Sequence, residues 1–145
     1  PLRPVIDKTL ASLDKVYAEK QIEHETDCDP ELMFPGDVDD LYEMIGNISD
    51  NAFKWAHSAV NIHCGLHEEK EDTRSLHITI EDDGPGFSLA SELEITQRGV
   101  RADEQVPGQG IGLAVVQNIV RGYDGELRTD KSVLGGALIE LTFPV

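Results

Sequence analysis

Asn47-Ile-Ser-Asp-Asn51-Ala-Phe-Lys54 is the stretch from which the rest of the chain is read. Leu41, Ile45, Ile48 and Ala52 recur with a period of about 3.6 and make an apolar stripe. Asn47, Asn51 and Lys54 stand at i, i+4 and i+7 on an adjoining face of the same helix. Two carboxamides and an ammonium therefore project together beside the core. A carboxamide offers Mg²⁺ a hard, neutral oxygen without repelling a triphosphate, and lysine is a flexible phosphate donor. Taken alone, the pattern equally describes a solvated polar face, because asparagine is a weak helix former common on surfaces.

The following strand narrows that choice. Leu76, Ile78 and Ile80 alternate with Ser75, His77, Thr79 and Glu81, and continuing the period puts Asp82 on the inward face and Asp83 toward water. A carboxylate delivered inward at a strand end costs stability unless it finds donors, and an adenine amine is a suitable one. Gly84 and Gly86 then let the backbone turn sharply and a flat base approach closely. A third segment, Gly108-Gln109-Gly110-Ile111-Gly112, opens a helix whose Val115, Val116, Ile119 and Tyr123 share a face. Its glycines remove side chains where unpaired backbone N–H groups at a helix start bind phosphate. The third glycine comes one residue too early for the dinucleotide fingerprint, and no Gly-Lys-Ser/Thr follows to make a P-loop.

In this order the three segments resemble the boxes of the GHKL (Bergerat-fold) ATPases, and within them the catalytic ATP-binding domain of bacterial sensor histidine kinases. Asn47 to Lys54 looks like the N box, Asp82 to Gly86 the G1 box, Gly108 to Gly112 the G2 box, and Leu134-Gly135-Gly136-Ala137 a terminal glycine turn. Asp82-Asp83-Gly84-Pro85-Gly86, Arg98-Gly99-Val100-Arg101 and Pro107-Gly108-Gln109-Gly110 are most similar to a magnesium-responsive subtype of these kinases.

The resemblance implies ATP and Mg²⁺ as the ligands. Asn51 would hold the metal, with Asn47 and Gln109 assisting, and Asp82 would take the adenine amine. Lys54 and Arg101 would reach the phosphates, making Asn47, Lys54 and Arg101 the catalytic set. Trp55, Gly84, Gly86, Gly108, Gly110, Ile111, Gly112 and Leu113 would complete the nucleotide surface. Residues 87–109 would form an ATP lid, with Arg98 helping to shape the lid or the domain contact; the connection is too long and aperiodic for a compact domain unless functional. The usual lid phenylalanine is replaced by Thr96, and Val106 stands where a basic residue would be unsurprising in this subtype, which bears on lid closure and rate.

The residue four before Asn51 separates reaction classes. Hydrolytic relatives carry a glutamate there to activate water, whereas Asn47 cannot act as a general base. Glu43 lies one turn further back, out of register. The resemblance therefore implies phosphoryl transfer, in which placement and charge screening suffice. The alternatives are a GHKL ATPase module of chaperone or DNA-topology type and a degenerate nucleotide-binding module.

The acceptor histidine is expected elsewhere. His67-Glu68-Glu69-Lys70 falls in a charged connection between the strands Val60 to Leu66 and Ser75 to Asp82 and is read as a solvated hairpin tip. His24, His57, His63 and His77 also lack acceptor context, and the five histidines show no ligand-pair spacing for a metal. The implied partners are a histidine-bearing dimerisation domain of the same protein and a downstream response regulator. The implied parent is a homodimeric sensor in the bacterial inner membrane, with this piece on the cytoplasmic side and making no direct membrane contact.

Composition agrees. The 145 residues suit one domain, 1–145, and Pro1 in place of an initiator Met points to a fragment of a larger chain. A net charge of −16, from 28 acids against 12 bases, disfavours nucleic acid as a partner. Cys28 and Cys64 lack a motif and read as free thiols of a reducing compartment.

The expected fold is an α/β, two-layer (α+β) sandwich: a mixed, mostly antiparallel sheet of about five strands, covered on one face by about three helices. Helices are expected over Pro4 to Glu19, Val38 to Ala59 and Ile111 to Tyr123. Further strands are expected over Ile22 to Glu25, Glu126 to Lys131 and Ala137 to Phe143.

Overall fold

The computed structural model describes residues 1–70, 73–85 and 110–145. In chain order these form α1 (Leu2–Val16), a 3₁₀ turn (Ala18–Lys20), β1 (Glu23–Cys28), α2 (Val38–Trp55), β2 (Ala59–Glu68), β3 (Arg74–Asp82), α3 (Gly110–Gly122), β4 (Glu126–Lys131) and β5 (Ala137–Pro144). The strands make one mixed sheet in the order β1-β2-β3-β5-β4. Only the β1–β2 pair is parallel. The two-layer α/β sandwich expected from the sequence is the fold observed.

Binary patterning explains the layers. On β2 Val60, Ile62 and Cys64 are buried, on β3 Leu76, Ile78 and Ile80, and on β5 Ile139, Leu141 and Phe143. They share one core with Leu41, Met44, Ile45, Ile48 and Phe53 of α2 and with Leu113, Val116 and Val120 of α3. Each fully buried side chain of this kind contributes about 1.5–3 kcal/mol relative to exposure. Alternate strand residues, including Asn61, His63, Gly65, His77, Thr79 and Glu81, lie on the face without helices.

Both ends of α2 carry side-chain caps, one local and one from the 3₁₀ turn. Asp37 caps its start by accepting from the Asp39 N–H at 2.7 Å, with Asp39 and Asp40 in the first turn. At its end Lys20 Nζ donates to the carbonyls of Phe53 and Lys54 at 2.8 and 2.7 Å. Tyr123, just past α3, donates through its hydroxyl to Asp40 at 2.6 Å and accepts from the Asp37 N–H at 3.0 Å. That ring lies over Gly36, where a Cβ would meet it at 2.3 Å.

Several boundaries differ from expectation for identifiable reasons. The helix expected to run to Ala59 ends at Trp55, because Ala56 turns extended and the next three backbone N–H groups are taken by Asp83. The first helix ends at Val16 and tightens into the 3₁₀ turn that delivers Lys20. β1 runs on to Cys28, held by parallel pairing that its polar sequence conceals. His67 and Glu68 belong to β2, so the expected hairpin tip is shorter than the sequence implied. Cys28 and Cys64 are register partners and free, buried thiols; burial raises both above the ordinary thiol range. Among the described residues no helix is long and apolar enough to cross a membrane.

Candidate functional site

Asp82 is the centre of the site. It ends β3 on the helix-covered face and is 5% exposed. Its Oδ1 accepts from the Gly84 N–H at 2.8 Å and the Ala137 N–H at 3.3 Å, while its backbone carbonyl accepts from the Gly136 N–H at 3.1 Å. No hydrogen bond from the described residues reaches Oδ2. Burial pushes this carboxyl above the usual range, only partly opposed by the Gly84 and Ala137 N–H groups. An inward carboxylate with one oxygen engaged and the other unmet among the described residues has capacity to accept a further donor.

Two glycines hold it there. A Cβ at Gly136 would stand 2.2 Å from Asp82 Oδ1, and one at Gly84 would stand 2.2 Å from the Trp55 carbonyl oxygen. Only a residue without a side chain lets the turn after β3 lie against the end of α2. The β4–β5 turn is fastened by Ser132, whose N–H donates to the Gly136 carbonyl at 2.8 Å and whose hydroxyl donates to Glu81 at 2.6 Å. Gly135, at φ 103°, occupies the left-handed region there.

The helix-borne residues lie on α2, whose end meets that turn. Asn47 Nδ2 donates to the Glu43 carbonyl at 2.7 Å, so its amide oxygen is the atom left for a cation. Asn51, one turn on, is 5% exposed. Lys54 is half-buried, with Nζ 5.7 Å from the centroid of the Trp55 ring. The enclosed Trp55 Nε1 has no hydrogen-bond partner among the described residues. Gly110, Ile111 and Gly112 form the first turn of α3, and Leu113 is fully enclosed in the core. Gly86, Thr96, Arg98, Arg101, Val106, Gly108 and Gln109 lie outside the described residues, as does the stretch read as a lid. The turn of β3, the end of α2 and the β4–β5 turn thus meet at Asp82. A hard-oxygen cation fits the amide chemistry of Asn47 and Asn51.

Asp83 was expected to face water. Instead its carboxylate accepts from the backbone N–H groups of His57 at 2.8 Å, Ser58 at 3.0 Å and Ala59 at 3.1 Å, and from the Ser58 hydroxyl at 2.8 Å. Burial acts to raise this carboxyl, but the hydrogen bonds from Ser58, Ala59 and His57 outweigh it and hold the group down at about 2. Alternation separated Asp83 from Asp82. What it could not reveal is that the chain leaving α2 folds back there to present three N–H groups.

Residues 36–145 match the family described as Histidine kinase-, DNA gyrase B-, and HSP90-like ATPase. Among curated proteins the chain is 38% identical over 143 residues to Sensor protein PhoQ of Escherichia coli K12 and to Virulence sensor histidine kinase PhoQ of Salmonella typhimurium LT2. The match covers 99% of this chain but 28% of each relative's length. Among solved structures, Mycobacterial sensor histidine kinase MprB superposes with a TM-score of 0.73 at 29% identity, covering 98% of this chain and 93% of that one. Full-length ShkA in complex with AMPPNP shares the fold, with a TM-score of 0.76 at 19% identity, covering 99% of this chain and 30% of that one.

Proposed function

Because the chain belongs to the histidine kinase-, DNA gyrase B- and HSP90-like ATPase family, we propose that residues 1–145 are one catalytic domain that binds ATP with Mg²⁺. The domain donates the γ-phosphoryl group to a histidine on a separate dimerisation domain of the same protein. The observation that carries this reading is the pairing of Asp82, buried with Oδ2 unmet among the described residues, and Asn47, whose amide replaces the carboxylate a hydrolase would need. The likeness of nearly the whole chain to proteins titled sensor histidine kinase supports the kinase branch over the chaperone and DNA-topology branches.

In this mechanism Asp82 accepts the exocyclic amine of adenine, a donor that guanine lacks at the equivalent place, and Gly84 keeps the approach clear. Asn51, assisted by Asn47 and Gln109, holds Mg²⁺ through carboxamide oxygens, and the ion when bound neutralises charge on the phosphates. Lys54 and Arg101 stabilise the charge that spreads over the transferring group, and backbone N–H groups at the start of α3 receive the other phosphates. Residues 87–109 close over the nucleotide. With no base of its own, the domain orients the phosphoryl group and leaves the nucleophile to the incoming imidazole. The wider assembly follows from the same reading: a homodimeric sensor of the bacterial inner membrane, this domain on its cytoplasmic side, signalling to a response regulator.

The deciding experiment incubates the domain with γ-labelled ATP and Mg²⁺, with and without the histidine-bearing segment of its parent chain. Label should appear on that segment alone, with little phosphate released to water. Rapid steady-state hydrolysis by the isolated domain, with no transfer, would favour the hydrolytic branch instead.

A further inference from the structure

The chain has two cysteines, and the fold brings both to one place that the nucleotide site does not use. Cys28 ends β1 at the edge of the sheet, Cys64 lies in β2, and parallel pairing sets the two directly opposite each other in register. Both side chains point into the same core and are 4% exposed. Neighbouring strands run about 4.8 Å apart, inside the range of about 4.4–6.8 Å over which a disulfide joins two Cα atoms. The Cβ atoms must close to about 3.8 Å, and the final residue of an edge strand, paired on one side only, has room to make that adjustment.

The two thiols are not equivalent. Burial raises both, but the hydrogen bond between them then acts in opposite senses, favouring the Cys28 thiolate and disfavouring that of Cys64. Cys28 is therefore the attacking group and Cys64 the resolving one. The Cys28 thiolate attacks one oxygen of a hydroperoxide; the S–O bond forms, the O–O bond breaks, and the departing oxygen takes up a proton and leaves as water. Cys64 then attacks the Cys28 sulfur, the S–S bond forms, and the hydroxyl of the sulfenic acid leaves as water with the Cys64 proton. With hydrogen peroxide, two thiols are oxidised to one disulfide and the peroxide is reduced to two waters. The burial of both side chains restricts the oxidant to one of this small size.

We infer that Cys28 and Cys64 are a reversible redox pair, which a hydroperoxide converts to a disulfide that locks the edge strand β1 to β2. The bond ties off residues 28–64, a loop that contains all of α2, and so restrains the unfolded chain more than the folded one. The inference is independent of nucleotide binding and is tested without nucleotide.

The experiment treats the reduced, folded chain with hydrogen peroxide and follows its intact mass. A loss of two hydrogens is expected, at a rate independent of protein concentration, with a linked peptide pair joining Cys28 to Cys64. The far-UV spectrum should be unchanged, the thermal midpoint should rise by several degrees, and dithiothreitol should reverse both the mass change and the shift. In Cys64→Ala the reaction should stop at a Cys28 sulfenic acid that dimedone traps, whereas Cys28→Ala should take up little dimedone under the same treatment. Thiols of the unsubstituted chain that stay reduced, a disulfide formed between two chains, or oxidation accompanied by loss of the folded spectrum would overturn the proposal, and equal trapping in the two variants would overturn the order of attack.

Discussion

Asp82 and Asp83 are neighbours in sequence and opposites in circumstance. The first ends β3 on the covered face, with one oxygen engaged and its carboxyl raised by burial. The second follows β3 directly and is supplied with three backbone N–H groups and a hydroxyl, its carboxyl held at about 2. A single step along the chain separates a carboxylate with one oxygen unmet among the described residues from one that accepts from three backbone N–H groups and a hydroxyl. Perturbed carboxylates with contrary shifts separate a binding role from a structural one: the under-supplied residue has capacity for a ligand, and the saturated one is spent on the fold.

The sharpest way to break this contrast is Gly136→Ala. The added carbon would meet Asp82 Oδ1, the Asp82 carbonyl and the Gly84 nitrogen at 2.2, 2.4 and 2.5 Å. Backbone must therefore shift, costing about 3 kcal/mol or more, and denaturant unfolding and ATP titration should deteriorate together. Retention of full affinity by this variant would show that the β4–β5 turn does not position Asp82.

Asp82→Asn should separate function from stability. Its amide oxygen can keep the Gly84 and Ala137 N–H bonds, while the charge that burial penalises disappears. ATP affinity should fall about a hundredfold, the scale of a lost charge-assisted bond, with thermal stability at neutral pH unchanged or raised. The sign follows from the raised carboxyl, whose ionisation in the folded state is a liability that grows as pH rises through its folded value. A variant both unstable and still tight for ATP would reverse the assignment.

Asp83→Ala should do the reverse at smaller size. Stranding the N–H groups of His57, Ser58 and Ala59 should cost about 2 kcal/mol of stability and change ATP affinity little. Because its folded value of about 2 lies below the ordinary 3.8, Asp83 stabilises the fold above the ordinary value. That contribution is lost as pH falls from about 4 toward 2. Comparing wild type with Asp83→Ala by chemical unfolding across that range should show the gap closing as the solution is acidified.

Much of this was legible from residue order, and what was missed has one cause. Period-two alternation found β2, β3 and β5 and put Asp82 inward, because burial on one sheet face writes itself into local spacing. The period near 3.6 found α2 and its Asn47, Asn51 and Lys54 face in the same way. The sequence did not disclose the length of β1, where His24 and Thr26 stand inward without apolar character and parallel pairing supplies the order. Nor did it disclose the partners of Asp83, Lys20 and Tyr123, which join segments from 24 to 86 residues apart. The packing of His67 on β2 against His77 on β3 escaped for that reason too, since linear spacing cannot register neighbours across strands.

The contact of Gly84 with the Trp55 carbonyl has a practical corollary for anyone recombining members of this family. The close of the long helix and the hinge after the third strand fit each other like moulded parts, with no slack for even one methyl group. A chimaera that imports positions 38–55 from one homologue should bring positions 82–85 from the same donor, and crossover points falling between the two will be culled disproportionately from shuffled libraries.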